Sequence, residues 1–216
     1  MRRVHLRSRA THQLQALQAD ADVVACGSYT AARLATAGLR VPVYPGKGYS
    51  ATLALRDPGR APQVSLIDDA RKIAISRLGD RLRVAGTIEL AAFDLRLDTP
   101  VAQARCCMLL QRTEELFPGV ADTRPPQQGG KPNFWCGLRP ATPTNVPLIG
   151  RLPLARLWIN TGHGTLGWTH GAGSGRALAK LISGERLALA LRFVGFDEPA
   201  RPPVPAQSTR TASNAG

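Results

Sequence analysis

The sequence predicts an α+β fold: a mostly antiparallel sheet with flanking helices. Three observations carry that expectation. Lys72–Arg77 and Arg81–Thr87 are two strand-like runs flanking Leu78-Gly79-Asp80, which reads as a hairpin turn. Thr99-Pro100 is a strong helix start, with Thr99 as N-cap and Pro100 in the first helical position. A second helical stretch follows the glycine-rich run TGHGTLGWTHGAGSG, residues 161–175.

Taken in order, residues 1–20 are basic and polar, with weak helical character over 11–19. Asp22–Cys26 is a short buried-strand pattern ending at Gly27-Ser28. A helix over 29–37 follows and Gly38 stops it. Nothing before this strand supplies a parallel neighbour. Val41–Pro45 is extended, because two prolines forbid a helix there. Gly46-Lys47-Gly48 reads as a turn, and 49–55 then alternates like a strand. Val64–Asp68 is a further short strand. The helix from Thr99-Pro100 runs to about residue 117 and ends at Pro118-Gly119, before a flexible loop over 121–132. Residues 135–138 form a short strand, 145–150 are turn-rich, and 157–160 form a strand. The last helix covers about 166–183, and Leu187–Phe196 has strand character.

Composition narrows the function classes. The chain has 216 residues, 44% hydrophobic and only 5% aromatic, so aliphatic side chains must supply the core. Formal net charge is +13, and of 28 basic residues only four are lysine. These charges are scattered, and no aromatics interleave with them as a single-strand-binding platform requires. A nucleic-acid partner is therefore not expected. Cys26, Cys106, Cys107 and Cys136 lack C-x-x-C spacing, which argues against zinc and against a thioredoxin motif and fits a reducing cytoplasm. No window reaches the roughly 18 apolar residues a membrane span needs. The N-terminus has charge without an apolar run, so no signal peptide is read there.

Gly162-His163-Gly164-Thr165-Leu166-Gly167 has the letters of a dinucleotide-binding G-x-G-x-x-G. That fingerprint also needs a following strand ended by an acidic residue about 20 positions on. Glu185 sits at a helix exit instead, and the chain then turns proline-rich, so the pyrophosphate-loop reading fails. The local physics survives: glycines at a helix start leave backbone N–H groups free for a negative charge or polarised carbonyl. Gly171, Gly173 and Gly175 each cost helix stability, which predicts close packing against their face.

Six segments together resemble the C-terminal half of the small-subunit type of FAD-dependent D-amino acid dehydrogenase, within the D-amino acid oxidase-like flavoproteins. They are ACGSY at 25–29, VPVYPGKGYS at 41–50, KIAISR at 72–77, FWCGLRPATP at 134–143, PLIGR at 147–151 and LWINTGHGTLGWT at 157–169. The resemblance covers about residues 20 to 187. It implies a remnant of an FAD-binding α/β domain at 1–40, a substrate-binding antiparallel sheet domain at 41–140, a return to the FAD-binding domain at 141–198, and a disordered tail at 199–216. The family's own G-x-G-x-x-G lies in an N-terminal Rossmann half with no counterpart here. The resemblance thus implies a truncated form needing that half from elsewhere.

Carried over by motif, Arg139 matches the arginine that holds the substrate carboxylate and is the catalytic-site expectation. Tyr49 is expected at the substrate, with core packing as its alternative, and Tyr44 shares that choice. Gly27 and Ser28 match the strand end that passes the FAD nucleotide. Gly162, His163, Gly164, Thr165, Leu166 and Gly167 match the loop at the flavin ring. His163 either adds to charge stabilisation there or only hydrogen-bonds the loop. No metal is expected. The implied reaction is oxidative deamination of a D-amino acid such as D-alanine to a 2-oxo acid and ammonia. Hydride goes to FAD and electrons pass to a quinone-type acceptor. The location implied is cytoplasmic, with peripheral contact at the inner membrane. The alternatives are a glycine- or sarcosine-type flavin amine oxidase and a non-catalytic fragment unable to bind FAD alone.

Overall fold

A computed structural model describes residues 4–185. Strands β1 (Val4–Arg7) and β2 (Leu14–Leu17) pair antiparallel, with Val4 opposite Leu17. Helical character was expected here, but the chain reverses at His12, whose φ is +56°. Both faces of β2 are exposed, so burial leaves no period in the sequence from which to read the strand.

β3 (Asp22–Val24) leads through a short 3-10 turn, Gly27–Tyr29, into α1 (Thr30–Ala35). Its parallel neighbour comes from late in the chain, where Trp158 lies opposite Val23. β4 (Tyr44–Ala54) is an inner strand of a five-stranded antiparallel sheet, paired on both sides. It begins before Gly46-Lys47-Gly48, where a turn was expected. The glycines are there for room. A Cβ on Gly46 would stand 2.5 Å from Ile88 Cδ1, and one on Gly48 would stand 2.5 Å from Arg139 Cζ.

β5 (Leu66–Asp68), β6 (Ile73–Leu78) and β7 (Arg81–Glu89) follow, with the expected turn at Gly79, φ +63°. α2 (Pro100–Leu116) starts at the expected cap, where Thr99 Oγ1 accepts from Ala102 N at 3.2 Å. It buries Ala102, Cys106, Leu109, Leu110 and Thr113. The loop after α2 is tied down at its start: Ala121 bridges to Leu55, and Asp122 N donates to Ala54 O at 2.9 Å. β8 (Asn133–Ala141) runs along β4 and is longer than expected. β9 (Leu148–Arg151) occupies part of the turn-rich stretch, because β10 (Leu157–Thr161) offers it an antiparallel edge. The second sheet is thus β3-β10-β9. α3 (Gly167–Ile182) closes the described chain. The expectations for Leu187–Phe196 and for the tail lie outside the described residues.

Two cores result. The larger joins Tyr49, Ala51, Leu53, Ile73, Ile75, Leu82 and Val84 of the five-stranded sheet to α2. The smaller joins Leu34, Val41, Val43, Leu148, Leu152 and Ile159 around the three-stranded sheet.

Candidate functional site

Side chains alternate across β4, so its residues serve two different faces. Tyr49, Ala51 and Leu53 enter the core beneath α2. Gly46, Gly48, Ser50 and Thr52 line the other face. Partners in an antiparallel ladder share a face, which places Arg139 beside Gly46, Gly137 beside Gly48 and Trp135 beside Ser50. Arg83 closes this face further along β4, its guanidinium donating to Ser50 Oγ at 3.1 Å and Thr52 Oγ1 at 3.4 Å.

Arg139 lies across Gly48, where only a hydrogen leaves room for its guanidinium. Its Nη1 donates to Thr87 O at 2.8 Å, and no carboxylate among the described residues pairs with it. Burial pulls its pKa below the ordinary arginine range, yet a guanidinium remains charged at neutral pH. A half-buried cation with one carbonyl partner and a free edge is arranged to take a planar anion. Ile88 covers Gly46 on one side, and the exposed Trp135 ring covers Gly137 on the other.

Tyr49 does not share this face. It is 1% exposed within the larger core, and its phenol donates to Glu89 Oε2. Burial and the Glu89 carboxylate push its pKa up. Tyr44, at the start of β4, is exposed.

The remaining expected segments converge. Thr161 Oγ1 donates to Gly27 O at 3.1 Å and accepts from Thr30 Oγ1 at 3.1 Å, tying β10 to the 3-10 turn. Gly162 then turns with φ +79°. A Cβ there would stand 2.6 Å from Thr142 Cγ2. Gly164 N donates to Pro140 O at 2.9 Å, which sets the glycine loop against the residue after Arg139. His163 Nε2 shares a 3.1 Å hydrogen bond with Ser174 Oγ of α3. Burial, with help from His170, pushes the His163 pKa down, so its ring is neutral at pH 7. Thr165 and Leu166 form the exposed tip, and Gly167 opens α3 with no side-chain cap. Ser28 Oγ is buried and has no hydrogen-bond partner among the described residues.

Sequence reasoning missed Thr87, Ile88 and Thr161. Nothing in Gly-Thr-Ile marks a left-handed threonine, and Thr161 matters only because α1 lies against β10. Close packing was expected over Gly171, Gly173 and Gly175, yet no described atom outside the helix lies within 4 Å of a Cβ built at any of them. No helix among the described residues is long and apolar enough to cross a membrane.

A family model described as DAO, FAD dependent oxidoreductase, matches residues 2–181. A D-amino acid dehydrogenase of Dechloromonas aromatica is 54% identical over 170 residues, covering 79% of this chain and 38% of its own. One from Cereibacter sphaeroides is 47% identical over 200 residues, covering 90% of this chain and 44% of its own. Among solved structures, iminodiacetate oxidase from Chelativorans sp. BNC1 aligns with a TM-score of 0.69 at 28% identity, over 88% of this chain and 51% of its own. Glycine oxidase from Geobacillus kaustophilus aligns with a TM-score of 0.67 at 28% identity, over 84% of this chain and 46% of its own. The chain spans 37–44% of the length of the first three curated relatives it matches.

Proposed function

This chain belongs to the DAO family of FAD-dependent oxidoreductases, and on that premise we propose that the protein oxidatively deaminates a D-amino acid such as D-alanine. The products are a 2-oxo acid and ammonia. The observation that carries this reading is Arg139: a charged, half-buried fork lying over Gly48, with no carboxylate partner among the described residues.

Arg139 binds the substrate carboxylate and so fixes which face of Cα the cofactor meets. The donor set beside it suits FAD. Ser28 offers a buried, unpartnered hydroxyl next to left-handed Gly27. Gly162 to Gly167 bring an uncapped helix start and side-chain-free backbone to the same junction. In this reading Gly27 and Ser28 would hold the nucleotide portion, and the loop 162–167 would hold the ring. The first-turn N–H groups of α3 would favour negative charge beside them. His163, neutral and held by Ser174, keeps the loop in place. When bound, FAD supplies the two-electron acceptor for the C–N bond being oxidised. Bound FAD would also hand its electrons on to a quinone-type acceptor, and the +13 net charge favours peripheral contact with an anionic membrane surface.

A second reading, a glycine- or sarcosine-type amine oxidase, is favoured by the structural likeness to glycine oxidase at 28% identity. Dye reduction by D-alanine against glycine and sarcosine, on flavin-loaded protein, separates the two. Arg139→Ala should raise KM roughly ten- to hundredfold, since a charge-assisted hydrogen bond contributes about 1.5–3 kcal/mol. Kinetics unchanged in that variant would remove the carboxylate role.

A further inference from the structure

The ladder between β4 and β7 carries a bulge. Lys47 pairs with Glu89 and Tyr49 with Gly86, so Thr87 and Ile88 together stand opposite Gly48. At the bulge Thr87 takes φ +60°. That backbone region favours glycine, and a β-branched residue there is strained. Such strain persists only where its surroundings hold it, and it concentrates at functional positions.

Two further observations meet at the same residue. The Thr87 carbonyl accepts the Nη1 hydrogen bond of Arg139 at 2.8 Å, the one hydrogen bond the guanidinium makes within the described structure. The Thr87 hydroxyl is buried and has no hydrogen-bond partner among the described residues. A buried hydroxyl left unpaired is uncommon, because it has given up water without replacement. One residue thus presents an acceptor, already used to orient the cation, and a donor that no described residue uses.

We propose that Thr87 is the second residue of the carboxylate-binding site. Its carbonyl holds one amino group of Arg139 so that the free edge of the fork faces the ligand. Its hydroxyl donates to a carboxylate oxygen of that ligand. The bulge makes this arrangement available. Without the extra residue opposite Gly48, the pleat would keep the carbonyl in the ladder, where it would bond to a neighbouring strand. The inference rests on Arg139 as the carboxylate anchor and adds a partner no motif in the sequence marks.

The test is titration of benzoate, a carboxylate without an amine, into the flavin-loaded protein, followed by calorimetry and by tryptophan fluorescence. Thr87→Val keeps the branched shape and the carbonyl and removes only the hydroxyl. It should weaken benzoate binding about tenfold, the effect of one lost hydrogen bond to a charged group. Thr87→Ser should bind within about threefold of wild type, because the hydroxyl remains. Thr87→Gly relieves the strain and keeps the carbonyl. It should melt higher than wild type while binding as weakly as Thr87→Val. With D-amino acid substrates the same loss should raise KM in Thr87→Val and spare it in Thr87→Ser.

Wild-type affinity in both Thr87→Val and Thr87→Gly overturns the hydroxyl's role. Equal losses in Thr87→Ser and Thr87→Val would show packing at work instead. Arg139→Ala separates the two levels of inference. If it abolishes benzoate binding while the Thr87 variants do not weaken it, only the Thr87 assignment falls. If Arg139→Ala binds as wild type, or wild type binds no benzoate, the carboxylate site itself falls and Thr87 with it.

Discussion

The five-stranded and three-stranded sheets each carry one long helix, and the two helices are buried to different depths. α2 buries five residues, Ala102, Cys106, Leu109, Leu110 and Thr113, and shares one core with Leu53, Ile75 and Val84 of the larger sheet. α3 buries only Ser174 and Leu178, while Trp168 at its first turn is fully exposed. The two sheets also differ in connectivity. In the larger one β5, β6 and β7 pair in sequence, while β4 reaches past them to β7 and across most of the chain to β8. The smaller one depends on β3 meeting β10 across most of the chain. The candidate site lies where the two meet: Arg139 belongs to β8 of the larger sheet, and the glycine loop that leaves β10 of the smaller one is bonded to Pro140.

The comparison can be broken most directly in the two cores. Leu109→Ala should cost about 2–5 kcal/mol, the range for deleting a buried leucine side chain. Leu178→Ala should sit at the low end of that about 2–5 kcal/mol range, because the cavity it leaves borders an open helix face. Equal losses in chemical denaturation would mean that α3 is as tightly held as α2. Next comes the junction. Gly162→Ala forces a Cβ into a left-handed position against Thr142 and should cost about 1–3 kcal/mol. Gly164→Ala has open space and should suffer only the backbone strain.

On the open face the sign reverses. Gly173→Ala should stabilise by about 0.5–1 kcal/mol, since helix propensity improves and no described atom is displaced. A destabilised Gly173→Ala would show that something packs there after all. The smallest expected effect is alkaline. Burial raises the Cys106 pKa to about 11. Above the ordinary thiol range the unfolded chain loses its proton while the folded one keeps it, so stability falls as pH rises toward 11. A melting series over that window should show a shallow decline that Cys106→Ala flattens. Exposed Cys26 and Cys107 should react with an alkylating agent ahead of buried Cys106 and Cys136.

Legibility in the sequence followed the range of the interaction. Thr99-Pro100 and Gly79 could be read because a cap and a turn are decided within four residues, and both stand where expected. Gly46-Lys47-Gly48 was misleading for a physical reason: two nearby glycines usually mark a turn, whereas here they clear space for Ile88 and Arg139 to lie over a straight strand. The β1–β2 hairpin was missed because β2 has no buried face to imprint a period.

Tyr49 shows the limit most sharply. It is one residue from Gly48, yet the pleat sends it to the α2 core while Arg139 lies over Gly48. By itself the sequence determined the β6–β7 hairpin, the two long helices, the α+β class and the family the chain belongs to. Those depend on residue type, local spacing and motif. The tertiary structure alone decided which face each residue serves. It decided that Gly27, Arg139 and Gly162 converge at one junction, and that Thr87 adopts a left-handed backbone to hold the guanidinium. Ladder register and a one-residue bulge fix those outcomes, and both arise from partners distant in the chain.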